Sequence, residues 1–163
     1  MKKRIQIFSC LILIFLQVDA QIGKSVGLRL GGNNEFFYRI GQGYTTREEG
    51  ALGATIYKQK DSLIDFSINL TASFQYIFEL ENDWNLYAGF GIGTGVCLND
   101  IKNKLDIEEL LYIKFFPLIG AEYNFADTWT VFMDYKPSFV LKGLSKKKYF
   151  ELYSISLGMQ YMF

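Results

Sequence analysis

From Ile64 to Phe78 apolar and polar residues alternate almost without a break, and this run constrains the fold more than any other feature of the chain. Even positions carry Ile64, Phe66, Ile68, Leu70, Ala72, Phe74, Tyr76 and Phe78. Odd positions carry Asp65, Ser67, Asn69, Thr71, Ser73 and Gln75, with Ile77 the exception. Side chains alternate across a strand with a period of two, so the run predicts one strand with an apolar and a polar face. At about 3.4 Å per residue it would reach roughly 50 Å, whereas globular strands usually hold about five or six residues. Long, strictly alternating strands are what a membrane-spanning barrel requires.

The next segment repeats the pattern. Trp84, Leu86, Ala88, Phe90, Ile92 and Val96 share one face; Asn85, Tyr87, Gly89, Gly91, Gly93 and Gly95 share the other. Four glycines on one face of a solvent-exposed strand would add entropic cost and no contact. Inside a narrow barrel they leave space for large side chains from facing strands, so that face is expected to point inward. Three further strands follow, from Leu111 to Phe125, from Trp129 to Leu141 and from Tyr153 to Phe163, and the shorter runs Ser25–Gly32, Glu35–Gly41 and Gly50–Lys58 fit the scheme less cleanly. The total is about eight, the smallest even number that single-chain membrane barrels use. The reading is an all-β, eight-stranded, antiparallel up-and-down transmembrane β-barrel spanning residues 21–163.

Connections sort by length. Glu79–Asp83 and Ala126–Thr128 are tight, while Asn99 to about Asp106 and Lys142–Lys148 are longer and polar. Short periplasmic turns against longer outer loops are characteristic of this architecture. Trp84 and Trp129 each begin a strand after a tight turn, and Tyr76, Phe78, Tyr123, Phe125, Tyr161 and Phe163 fall at the same rim. Amphipathic rings favour the headgroup zone, so these residues predict an aromatic girdle. Pro117 and Pro137 interrupt predicted strands, and Phe116 and Leu118 put apolar groups on the polar face. A bulge at each proline is expected, with a possible change of in/out parity there.

The first twenty residues read as a cleaved export signal. Lys2, Lys3 and Arg4 precede an apolar stretch from Ile5 to Leu16, and Val18-Asp19-Ala20 offers the small side chains of a cleavage site, making Gln21 the new N-terminus. The stretch is too short to cross about 30 Å of hydrocarbon as a helix. Cleavage would leave 17 − 3 = 14 basic against 17 − 1 = 16 acidic residues, a balance that argues against nucleic acid as a partner. Cys97 would remain as the sole thiol, which excludes an internal disulfide, and the chain contains no histidine.

The pattern resembles the small Gram-negative outer-membrane barrels of the OmpX/OmpA-transmembrane-domain type, within the porin family. The resemblance is carried by Val26-Gly27-Leu28-Arg29-Leu30-Gly31-Gly32-Asn33-Asn34, by Leu86-Tyr87-Ala88-Gly89-Phe90-Gly91, by Asp134-Tyr135-Lys136-Pro137-Ser138-Phe139 and by the strand ending in Phe163. It implies a monomer in outer-membrane lipid, inserted by the barrel-assembly machinery. Leu157, Met159, Tyr161 and Phe163 match the terminal signal such machinery reads. It implies a compartment and no reaction. Barrel enzymes that the resemblance brings to mind use a histidine, the usual base at neutral pH, and this chain has none. No enzyme activity and no cofactor or metal is expected.

Arg29, Arg39, Glu122, Asp134 and Lys136 fall on the face opposite the apolar one. An eight-stranded barrel is just wide enough for its side chains to fill. These charges are therefore expected to pair in the lumen, since isolated buried charges are costly. The main functional reading is a structural or surface-interaction protein with a filled lumen. One alternative is a small or gated pore for ions or small solutes, opened by rearranged pairs. Another is a secreted lipocalin-like binding barrel, which has the same periodicity with inside and outside exchanged. In the outer loops, Lys146-Lys147-Lys148 could meet phosphates or an acidic partner, and Asp100, Asp106, Glu108 and Glu109 could meet a divalent cation. A solvated, charged loop is the simpler explanation for both, since neither spacing matches a calcium-loop motif, and any extracellular ligand is left open.

Overall fold

The computed structural model describes residues 23–42, 45–58, 64–97, 111–142, 147–152 and 154–163. The predicted leader, the acidic stretch from Asp100 to Glu109 and Lys146 lie outside the described residues. The chain forms β1 (Lys24–Gly31), β2 (Asn34–Gln42), β3 (Thr46–Lys58), β4 (Ile64–Glu79), β5 (Trp84–Cys97), β6 (Leu111–Ala126), β7 (Trp129–Tyr135), β8 (Ser138–Lys142), β9 (Lys147–Glu151) and β10 (Ile155–Met162). Every pairing is antiparallel, β1 pairs with β10, and β5 pairs with β6 to close the sheet on itself. β7 and β8 are two halves of one stave, broken at Lys136 and Pro137, and β9 and β10 are likewise two halves of the last stave. The result is an up-and-down barrel of eight staves. Closure through β1–β10 and β5–β6 leaves no open edge between first and last stave across the barrel wall, and unpaired backbone groups there would find no partner in a bilayer.

Parity follows the alternation read from the sequence. Leu28, Phe36, Leu70, Phe90, Ile119, Met133 and Leu157 all face outward, with Phe90 68% exposed and Leu157 63%. Arg29, Glu35, Glu49, Gln75, Glu122 and Asp134 face inward and are buried. Apolar groups outside and charges inside invert the arrangement of a lipocalin-like barrel, so the secreted soluble reading is overturned. At the short-turn rim, Trp84 stacks near Tyr123 and Trp129 near Tyr161, each pair with ring centroids 5.0 Å apart, and Tyr76 meets Phe78 at 4.8 Å. The turn there is tight because Asn82 and Asp83 both adopt left-handed conformations (φ 60° and 64°), which these residue types tolerate.

The prolines behave differently from expectation. The β5–β6 register runs through Phe90–Pro117 without a shift. The pairs Phe115–Phe139 and Ile119–Tyr135 place Pro117 directly opposite Pro137. Lys136 donates its amide to the Ser154 carbonyl at 3.0 Å, so the next nitrogen, that of Pro137, turns the other way, toward Pro117. Both missing donors thus fall in one ring of the ladder, and one gap opens instead of two. Parity is kept across both residues: Phe116, Leu118, Asp134, Lys136 and Ser138 are all buried. The irregularity sits on the facing stave instead. Tyr135 pairs with Ile155 but Ser138 pairs with Glu151, which leaves one residue more on that side. Parity changes there, and Glu151 turns inward to accept the Ser138 hydroxyl at 2.7 Å.

Inward-facing rings lie over glycines on the neighbouring stave. Phe132 is paired with Gly158, Phe37 with Gly27, Phe116 with Gly91, Tyr112 with Gly95 and Tyr87 with Gly120. A methyl group added at Gly158 would stand 2.1 Å from the Phe132 ring. The glycine-lined face is therefore the space into which the lumen aromatics fold.

Candidate functional site

The lumen is the only place where the described staves bring charged side chains together in depth. β1 supplies Arg29, β2 Glu35 and Arg39, β3 Arg47 and Glu49, β6 Glu122, and β7 with the residue after it Asp134 and Lys136. Period-two geometry puts all of them inside because each shares parity with the polar face of its own strand.

Arg29 is the centre. Its Nε donates to Asp134 Oδ2 at 2.9 Å, its Nη2 to Glu49 Oε2 at 2.9 Å, and its Nη1 to Glu49 Oε1 at 3.2 Å and to Glu35. Glu49 is the matching anion: it also accepts Arg39 Nε at 2.7 Å and Lys136 Nζ at 3.2 Å. Lys136 reaches Glu35 as well, at 3.1 Å. Closer to the short-turn rim, Arg47 donates to Glu122 at 2.7 Å and to Gln75 at 2.6 Å, and Arg39 donates to Gln160 at 2.6 Å. Tyr87 adds a hydroxyl to Asp134 at 3.3 Å. The four cations Arg29, Arg39, Arg47 and Lys136 face the four anions Glu35, Glu49, Glu122 and Asp134, so the set is neutral.

Aromatic rings fill what the ion pairs leave. The Arg39 guanidinium carbon lies 4.4 Å from the Phe37 centroid and 4.5 Å from that of Phe132, and Arg47 lies 4.5 Å from that of Tyr87. Cation–π attraction of this kind strengthens as water is excluded. Lys114 is also buried; among the described residues it makes no direct ion pair, and its ammonium lies 5.8 Å from the Phe116 centroid. Where Glu35, Glu49 and Asp134 converge, a guanidinium occupies the space a metal would need, and among the described residues no group of three or more metal-ligating side chains is placed to hold an ion.

All five lumen charges named from the sequence, Arg29, Arg39, Glu122, Asp134 and Lys136, are buried in this network, with Arg29 0% exposed. Three members went unnamed there: Glu35, Arg47 and Glu49. Glu35 could have been found, since it lies four residues from Arg39 on the same face. On the outer surface Leu157, Met159 and Tyr161 pair with Leu30, Leu28 and Val26 of β1, and the Phe163 amide donates to the Lys24 carbonyl at 3.0 Å. The proposed assembly residues thus form the seam at which the last stave meets the first.

No family model and no curated protein matches the sequence. Solved structures do resemble the fold. The N-terminal β-barrel domain of Pseudomonas aeruginosa OprF superposes with a TM-score of 0.54 at 14% identity, covering 87% of this chain and 96% of that one. Neisserial surface protein A (NspA) gives a TM-score of 0.57 at 14% identity, covering 87% of this chain and 94% of that one. At such identity the likeness concerns the fold alone. The chain has the fold of an OmpA/OmpX-like outer-membrane barrel: eight closed antiparallel staves, apolar outside and ionic within.

Proposed function

We propose that this chain is an integral outer-membrane protein with a structural or surface-interaction role, exported by its leader and carrying a lumen closed to solutes. The observation that supports this reading is the neutral set of four cations and four anions across the barrel interior, packed with Phe37, Tyr87 and Phe132. Moving such charges aside would expose unpaired groups, which is strongly unfavourable in a low-dielectric interior. The chain has no histidine to act as a general base, so a non-enzymatic role is the simpler reading. Refolded protein in planar bilayers is expected to give no conductance steps above baseline. Discrete, reproducible steps would favour the alternative of a small or gated pore.

The same reading includes insertion by the barrel-assembly machinery, with Leu157, Met159, Tyr161 and Phe163 as the recognised row. Phe163→Ala is expected to reduce the folded, heat-modifiable fraction in outer-membrane preparations several-fold, while refolding of the purified chain into vesicles proceeds as in the wild type. An equal loss in both settings would mean that Phe163 serves the barrel seam only.

A further inference from the structure

A charged row interrupts the apolar exterior of β1–β3. Glu48 points outward from β3, half-buried between Ile40 and Phe74 of the neighbouring staves. Gln42 donates its amide to Glu48 Oε1 at 2.8 Å, which holds the carboxylate in place, and among the described residues no donor is paired with Oε2. Two staves away in the same row stands the exposed Lys24: the register pairs Lys24 with Ile40, and Ile40 with Glu48. Adjacent strands lie about 4.8 Å apart, so the two backbones are separated by about 10 Å, and both side chains can close on a group a few ångström across. A groove in the exterior opens directly against this row, lined by Tyr38, Ile40, Gly50, Ala72, Phe74 and Phe90. Its floor is vacant at Gly50, where an added methyl would meet nothing within 4 Å. The row lies toward the short-turn rim, where the tryptophan and tyrosine girdle marks the headgroup zone.

Opposite charges at fixed spacing beside an apolar channel complement a zwitterionic amphiphile. We propose that this face binds one phospholipid with a primary ammonium headgroup, its phosphate on Lys24, its ammonium on Glu48 and an acyl chain along the Gly50 groove. A carboxylate oxygen left open calls for an N–H donor, which a primary ammonium has and a trimethylammonium lacks. The inference rests on the membrane placement proposed above.

Protein refolded into nanodiscs of equal phosphatidylethanolamine, phosphatidylcholine and phosphatidylglycerol, with matched acyl chains, allows the retained lipids to be identified by native mass spectrometry. The wild type is expected to retain phosphatidylethanolamine about fivefold over phosphatidylcholine, the range of one interfacial ion pair. Glu48→Gln should bring that ratio to about one. Lys24→Ala, which removes the phosphate contact, and Gly50→Leu, which fills the groove, should each lower retention of all three lipids. A wild-type ratio near one, or a preference that survives Glu48→Gln, would overturn the proposal. So would crosslinks through this face that grow with the protein-to-lipid ratio, since the occupant would then be a second copy. Heat-modifiable gel mobility on the same samples reports the barrel itself, so a failed membrane reading is distinct from a failed lipid site.

Discussion

Arg29→Met is expected to lower the unfolding free energy of the barrel by about 3–5 kcal/mol, the cost of leaving buried charge without its partner. Arg29 meets three carboxylates, and they do not suffer equally. Glu35 retains Lys136, and Glu49 retains Lys136 and Arg39. Among the described residues Asp134 is ion-paired with Arg29 alone, and it would be left with the Tyr87 hydroxyl at 3.3 Å. The set would change from four against four to three cations against four anions. Removing one anion restores the balance, so Arg29→Met/Asp134→Asn should recover a large part of the loss, and a double-mutant cycle should show coupling of at least about 1 kcal/mol. Urea titration of protein refolded in phosphatidylcholine vesicles, followed by Trp84 and Trp129 emission, measures each variant. A loss below about 1 kcal/mol for Arg29→Met would show that the network is screened by water and does not fill the lumen. The prediction does not require the ion pairs to stabilise the barrel relative to an apolar lumen, because breaking a buried pair and replacing it entirely are different experiments.

The alternation of β4 and β5 carried most of the fold, because a period of two over so many residues admits one geometry. Facing, strand number and the aromatic rim followed from it. The network was only half legible. Arg47 and Glu49 lie in a strand that begins at Thr46, four residues before the sequence pattern becomes visible at Gly50. Glu48 and Gly50 on its outer face, with Ala51 and Gly53 on its inner face, erase the contrast that marks a strand. Contacts such as Arg29 with Glu49 also depend on which stave closes against which, and no local pattern encodes that. The prolines mislead for a related reason. Each alone in a strand interior implies a bulge, and only the register shows that Pro117 and Pro137 share one gap.

A single substitution, glycine to alanine, is expected to have three different outcomes at three sites, and this series tests the packing of the lumen wall. At Gly89 the added methyl would stand 2.1 Å from the Phe74 carbonyl oxygen and 2.9 Å from the Gln75 Cα, both backbone atoms of the adjacent stave. No side-chain rotation relieves that clash, so β4 and β5 must move apart. The cost should be at the upper end of the overpacking range, about 3 kcal/mol. At Gly93 the contacts are with the Thr71 methyl at 2.7 Å and the Lys114 stem at 2.9 Å, both side chains. These can rotate, and the loss should stay below about 1.5 kcal/mol. At Gly50, on the outer surface, the methyl meets nothing within 4 Å. There the smaller entropy of the unfolded chain should dominate, with a gain of about 0.4–1 kcal/mol. The same vesicle titration ranks the three variants. If Gly89→Ala proves as mild as Gly93→Ala, the staves yield easily at the glycine face, and close approach of β4 to β5 is not what those glycines provide.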